Sequence, residues 1–278
     1  MERLYGVIGD PILHSMSPIM HNMAFEMLGL HARYLAFHVT PQKLPGAIEA
    51  MRALGIQGFN VTVPHKVNVM NYLDEIDELA IKIGAVNTIV NRNGKLVGYN
   101  TDGIGYVTGL RGVVTGRDIT QLSILIIGAG GASRAIYYSL IHNGAQKVDI
   151  ANRTLEKAKN IITTKHQLAS KAINIHEAVT NLAEYDIIIN TTSIGMSPNI
   201  EEVPIEINNI SNKHIVSDII YNPLETKFLK LAKQAGAVTQ NGVDMFVFQG
   251  ALSFEMWTGI YPDVHEMRKT IMDKLGGA

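Results

Sequence analysis

Two short stretches end in side chains that can move a proton. FNVTVPHK, Phe59 to Lys66, alternates apolar and polar residues up to Pro64 and then presents Lys66; GYNTDG, Gly98 to Gly103, presents Asp102. If the two meet they form a proton-transfer pair, because oxidising an alcohol needs a hydride acceptor and a group that takes the hydroxyl proton. An unperturbed lysine has a pKa of about 10.4, so service as a base requires burial or another perturbation. A neighbouring aspartate pulls the other way, toward the charged lysine, and the pair is expected to titrate as one coupled unit. The plain alternatives are a solvated charge past a strand end for Lys66 and a helix cap for Asp102.

Uncharged polar groups accompany the pair. HSMSP sets Ser15 and Ser17 on either side of Met16, and two hydroxyls so close suit a carboxylate or a polyhydroxylated ligand. Ser17 before Pro18 also reads as an ordinary helix start, whereas Ser15 has no such structural task in the sequence. Thr62 is expected on the strand that leads to Lys66. AVNTIV and GYNTDG are joined by NRNG, in which Asn93-Gly94 is a strong two-residue hairpin signal. Pairing Arg92 with Lys95 sets Asn87 opposite Asn100 and brings Asn87 and Asp102 to one end of the hairpin.

The elements that must position these groups alternate between strand and helix patterns, which indicates an α/β protein with mostly parallel sheets. Strands are expected near 4–8, 33–39, 58–63, 86–91 and 96–100, and helices near 18–29, 43–54 and 75–83. A second βα series opens at LSILIIGAGGASRAIYYSLIHNG and continues through VDIANRTLEKAKNII, DIIINTTSIGM and HIVSDIIYNP. The polar, glycine-containing segment before it marks a boundary, giving a first domain over 1–103 and a Rossmann-type domain over 104–241. VDMFVFQGALSFEMWTG then reads as a long apolar helix that comes too late for that series. It is expected to pack back on the first domain, a mainly parallel mixed sheet, so that 242–278 completes it.

Within the second series, the strand LSILII runs into GAGGAS and on into a helix. Gly128 permits the tight turn, Gly130 allows a pyrophosphate to approach the backbone, and a helix opening near Ala132 offers free amides and a positive dipole end. Gly128, Ala129, Gly130, Gly131 and Ala132 are therefore the expected phosphate-binding run of a dinucleotide site. Ser133 stands at the third position of this fingerprint, where glycine or alanine is usual. The next strand ends in Asn152, where NAD sites usually carry an acid for the ribose 2′-hydroxyl. Arg153, Thr154 and Lys157 follow. A carboxylate would repel a 2′-phosphate, while Arg153 and Lys157 can clamp one, so NADP is favoured over NAD. Thr154 also reads as a helix cap, which is compatible with that role.

Composition narrows the remaining classes. Twenty-four Lys and Arg oppose 25 Asp and Glu, a balance that lacks the basic footprint of a nucleic-acid binder. There are no cysteines, which excludes disulfides, thiolate metal sites and cysteine nucleophiles. The N-terminus lacks the pattern of a signal peptide, and no apolar run reaches the roughly 18 residues of a membrane span, so a soluble cytoplasmic protein is expected. Ten histidines show no metal-ligand spacing, and His21 falls inside a helix pattern as a structural residue. The acidic run DEIDEL reads as a solvated helix start from which Glu78 could approach a cofactor.

Taken in order, the SMS segment, NVTVPHK, GAVNT, GYNTDG, GAGGAS, ANRT, NTTSIGM and NGVDMFVFQGA make the chain resemble the shikimate dehydrogenase family over essentially its full length. The resemblance implies reversible NADPH-linked reduction of 3-dehydroshikimate to shikimate, a step toward chorismate and the aromatic amino acids. It implies Lys66 and Asp102 as the catalytic pair, with Lys66 as proton acceptor. Ser15, Ser17, Thr62, Lys66, Asn87, Asp102, Tyr221 and Gln249 would bind substrate, the serines holding its carboxylate. Glu78, the glycine run, Asn152 to Lys157, Ile219 and Gly242 would line the cofactor. Lys157 stands where the family often has arginine, which implies a looser hold on the 2′-phosphate. Two alternatives stay open: a quinate/shikimate dehydrogenase using NAD, and a non-catalytic dinucleotide-binding regulator. The assembly is expected to be a monomer or a homodimer.

Overall fold

Runs of β-branched and aromatic residues build a first sheet from β1 (Arg3–Gly9), β2 (Ala32–His38), β3 (Gly58–Val61), β4 (Glu75–Ile76), β5 (Thr88–Arg92) and β6 (Lys95–Tyr99). The computed structural model describes residues 2–162 and 169–276. The strand order is β2-β1-β3-β5-β6-β4. β1 pairs in parallel with both β2 and β3, whereas β5 is antiparallel to β3 and β6. Helices α1 (Ser17–Met27), α2 (Leu44–Ala53), α3 (Glu78–Ile83) and α4 (Asp102–Val113) connect or follow these strands. Ile8, Ile48, Phe59, Val61, Ile89 and Leu96 form much of a dry core.

A second series comprises β7 (Ser123–Ile127), α5 (Gly131–His142), β8 (Lys147–Ala151), α6 (Leu155–Lys159), β9 (Ala172–Ile173), α7 (Ile175–Thr180), β10 (Ile187–Asn190), β11 (Ile215–Asp218), α8 (Lys227–Gln234) and β12 (Val238–Gln240). Its six strands are all parallel, in the order β12-β11-β10-β7-β8-β9. SILII and IIIN are continuous apolar runs because both faces of a parallel sheet are covered. The order reverses between β7 and β10, the switch point where such sheets bind ligands beyond the carboxyl ends of their strands. The chain ends in α9 (Val243–Thr258) and α10 (Val264–Lys274).

The chain forms two units, Met1–Gly105 with Val247–Ala278, and Tyr106–Phe246. The long apolar helix does pack back on the first sheet. Ser253 of α9 reaches Asn60 and Thr88, and Trp257 donates from its indole to the Ile89 carbonyl at 2.9 Å. Trp257 and Phe254 also join an aromatic cluster with Tyr5, Phe25, Tyr34 and His21.

Three expectations about element ends are corrected. β3 stops at Val61, so Thr62 lies beyond the strand, although its amide still donates to the Ile8 carbonyl at 3.0 Å. Pro64, with no N–H, cannot extend that ladder. β5 starts only at Thr88, because the Val86 amide turns instead to the Lys66 carbonyl at 2.8 Å. The expected helix over 75–83 begins at Glu78; Glu75 and Ile76 pair with Val97 and Gly98, and the Asp77 carboxylate caps α3 at Leu79 N and Ala80 N.

Candidate active site

The hairpin between β5 and β6 delivers the central polar groups. Asn93 and Gly94 occupy the turn with φ of 55° and 91°, and Arg92 pairs with Lys95. The register carries Asn87 to the end of the hairpin, where its amide N–H donates to the Tyr99 carbonyl at 3.0 Å. The Asn87 side-chain amino group then donates to Asp102 Oδ1 at 2.8 Å. Its orientation is fixed by a neighbour that cannot reverse: the Thr101 backbone N–H donates to Asn87 Oδ1 at 2.7 Å, so the amino group must face Asp102.

Lys66 Nζ donates to Asp102 Oδ2 at 2.7 Å. Both side chains stay reachable, Lys66 at 31% and Asp102 at 14% exposure. The carboxylate thus receives one bond from a cation and one from a locked amide, and the ammonium keeps two protons for other partners. Asp102 is the first residue of α4; its amide donates to Asn100 Oδ1 at 3.2 Å, and its carboxylate goes to Lys66 and Asn87.

Within the same unit, α9 brings Gln249 to the first turn of α4 through Gly105. A Cβ on Gly105 would lie 2.5 Å from the Gln249 amide nitrogen, so only glycine lets the two backbones approach this closely. Ser17 is buried and Ser15 half-buried at the start of α1. Contrary to expectation, Ser15 does have a structural task, accepting from the Ser17 amide at 3.3 Å where Met16, the cap residue, offers no side-chain bond. Thr62 is half-buried with its methyl against Gly9. Glu78 stands exposed in the first turn of α3. His21 is fully buried, and the absence of water around it holds its pKa down at about 3.

In the second unit, the glycine loop has the shape its residues predict. Gly128 takes φ of 108°, and a Cβ there would meet the Thr191 hydroxyl at 2.8 Å. Gly130 is the cap residue of α5 and brings no side chain to its first-turn amides, while a Cβ on Gly130 or Gly131 would enter open space. Open space in front of an uncapped helix start fits a pyrophosphate. The departure at Ser133 is accommodated by a bond from its hydroxyl to the Gly128 carbonyl at 2.8 Å, which ties helix to loop. Ala129 and Ala132 are half-buried beside them.

Asn152 uses its amino group on the Thr154 carbonyl at 2.8 Å, and the Thr154 side chain makes no cap bond to α6. Arg153 and Lys157 are exposed, and among the described residues neither charged group takes an ion-pair partner. Two uncommitted cations beside a neutral Asn152 fit a 2′-phosphate. Gly242 is pressed on the residue before Ile220: a Cβ would sit 2.0 Å from the Ile219 carbonyl oxygen. Tyr221 is half-buried against Phe246 at 5.3 Å between ring centres, and burial raises its pKa.

One group at the carboxyl end of β11 was not singled out from sequence. Asp218 accepts from Asn190, the Ile220 amide and Thr226, yet burial still raises its pKa to about 6. Only the pairing of β10 with β11 sets Asn190 beside it, so no local motif announces it.

Family models match three stretches of the chain: the shikimate dehydrogenase substrate binding domain over residues 7–89, shikimate / quinate 5-dehydrogenase over 113–219, and the shikimate 5′-dehydrogenase C-terminal domain over 242–272. A shikimate dehydrogenase (NADP+) from Bacillus cytotoxicus is 55% identical over 278 residues, all of both chains. Among solved structures, a shikimate dehydrogenase in complex with NADP+ is 43% identical with a TM-score of 0.88, covering 99% of this chain and 96% of its own. Shikimate 5-dehydrogenase from Listeria monocytogenes, in complex with shikimate and NAD, is 36% identical with a TM-score of 0.91 over 97% and 96%. Matched end to end by sequence and by fold, the chain belongs to the shikimate dehydrogenase family.

Proposed function

We propose that the protein catalyses the reversible NADPH-linked reduction of 3-dehydroshikimate to shikimate, on the route to chorismate and the aromatic amino acids. The observation that carries this reading is the Lys66–Asp102 contact of 2.7 Å, with Asn87 locking the carboxylate from its other oxygen. Bound NADPH supplies the hydride. The proton that completes the alcohol comes from the Lys66–Asp102 unit, and in the reverse direction the same unit takes the hydroxyl proton. Ser15 and Ser17 are assigned to the substrate carboxylate, and Thr62, Asn87, Tyr221 and Gln249 to its hydroxyls. Gly128 to Ala132 take the pyrophosphate, Asn152 to Lys157 the adenosine 2′-phosphate, and Ile219 and Gly242 the nicotinamide end. No helix among the described residues is long and apolar enough to cross a membrane, and we place the enzyme in the cytoplasm.

The test is a steady-state matrix of shikimate and quinate against NADP and NAD. Shikimate with NADP is expected to be the preferred pairing. Efficient quinate oxidation with NAD would overturn the substrate assignment. Lys66→Ala is expected to lose turnover by a factor of at least about 100 while NADP still binds; retention of most turnover would remove Lys66 from proton transfer.

A further inference from the structure

Beneath Asp102, the first unit carries a row of polar side chains that hydrogen-bond to one another. Tyr34, Asn60, Asn87, Thr88, Thr101 and Ser253 are all buried, the least so being Asn60 at 7% exposure. They come from β2, β3, the β5–β6 hairpin, the start of α4 and from α9, so the row exists only when those elements pack.

Its donors and acceptors can be assigned from the backbone groups, which cannot reverse. The Asn60 amino group lies 3.1 Å from the Asn87 carbonyl, a pure acceptor, so Asn60 Oδ1 must face the Tyr34 hydroxyl at 2.7 Å. Tyr34 therefore donates its only proton to Asn60. Burial pushes the Tyr34 pKa well up, so the proton stays in place. At the other end, the Ser253 hydroxyl donates to the Gln249 carbonyl at 2.9 Å and meets Asn60 Nδ2 at 3.1 Å and Thr88 Oγ1 at 2.8 Å. With the Ser253 proton given to Gln249, Thr88 donates to Ser253, and the Asn87 amino group donates to Thr101 Oγ1 at 2.9 Å as well as to Asp102.

We infer that Tyr34 and Ser253 are positioning residues for the reaction, holding Asn60 and Asn87 so that Asp102 meets Lys66. The inference rests on the functional reading above, which assigns Lys66 and Asp102 to proton transfer. Tyr34→Phe keeps the stacked ring but removes the donor that holds Asn60.

The experiment measures shikimate oxidation by NADP for the parent enzyme, Tyr34→Phe and Ser253→Ala, each normalised to the concentration of folded, NADP-binding protein. Tyr34→Phe is expected to lower kcat roughly 5- to 10-fold, the scale of one lost buried hydrogen bond, while the KM for NADP stays unchanged. Ser253→Ala is expected to lower kcat on a similar scale with the KM for NADP unchanged. A purely structural role would reduce the amount of active protein without splitting kcat from KM. Values of kcat within about twofold of the parent in both variants, or a drop in kcat matched by an equal rise in the KM for NADP, would overturn the inference. A parent enzyme inactive on shikimate refutes the functional reading and the inference with it; an active parent with unaffected variants refutes the inference alone.

Discussion

Arg153 and Lys157 are the residues proposed to set cofactor choice, both exposed cations without an ion-pair partner among the described residues. An exposed, charge-assisted contact to a 2′-phosphate is worth about a factor of ten, so Arg153→Ala should raise the KM for NADP roughly tenfold and leave that for NAD unchanged. Equal effects on both cofactors would show that Arg153 does not touch the 2′-phosphate. His21 supports a prediction about pH. Its ring stacks on Tyr34 at 4.4 Å between centres, neither nitrogen has a hydrogen-bond partner, and its pKa is held down at about 3 against an ordinary 6.5. The unfolded chain takes up a proton that the folded chain refuses, so the stability linked to His21 is complete above about pH 6.5 and is lost as pH falls toward 3. His21→Phe should remove that contribution, about 2 kcal/mol at pH 5, so that urea midpoints at pH 7 and pH 5 lie closer together than in the parent. An unchanged gap would mean that His21 titrates normally.

At the scale of elements, the approach of α9 to α4 is set by one atom that Gly105 lacks. Alanine is the better helix former, by about 1 kcal/mol in an exposed helix, so propensity alone predicts that Gly105→Ala stabilises the protein. The structure predicts the opposite, because the new Cβ would lie 2.5 Å from a backbone nitrogen and α9 would have to shift. Overpacking of this kind costs about 1–3 kcal/mol, and displacement of Gln249 should lower kcat/KM for shikimate as well. A thermal melt at or above the parent's would refute this packing account. The same level shows what local pattern can and cannot reveal. The Asn-Gly turn dictated the hairpin register and with it the meeting of Asn87 and Asp102, since a one-residue slip would turn every side chain to the other face. The glycine run likewise announced its own turn, because only glycine accepts φ of 108° without strain. The partner of the Asp102 carboxylate was not legible: Asp is a good capping residue, and only the packing of distant segments brings Lys66 to it.

At the scale of the whole molecule, the two units differ in how the chain builds them. Tyr106–Phe246 is one continuous segment with its own parallel sheet and core, whereas Met1–Gly105 needs Val247–Ala278. Expressed alone, residues 106–246 should unfold cooperatively and bind NADP, while residues 1–105 should fold only when 247–278 is supplied; circular dichroism melts of the separate and mixed fragments decide this. A cooperative melt of 1–105 by itself would show that the aromatic cluster and the Ser253 bonds are dispensable. By itself, the sequence determined whatever is encoded within a few residues: the alternation of strands and helices, the glycine turn, the hairpin, and the ordered motifs that mark the family. Only the tertiary structure decided which distant groups meet, as Tyr34 meets Asn60 and Ser253 meets Thr88 across 26 and 165 positions. The reason is physical: a backbone conformation follows from local sterics, but a buried hydroxyl is committed to one partner only when separate elements close around it and exclude the water that would otherwise bond it.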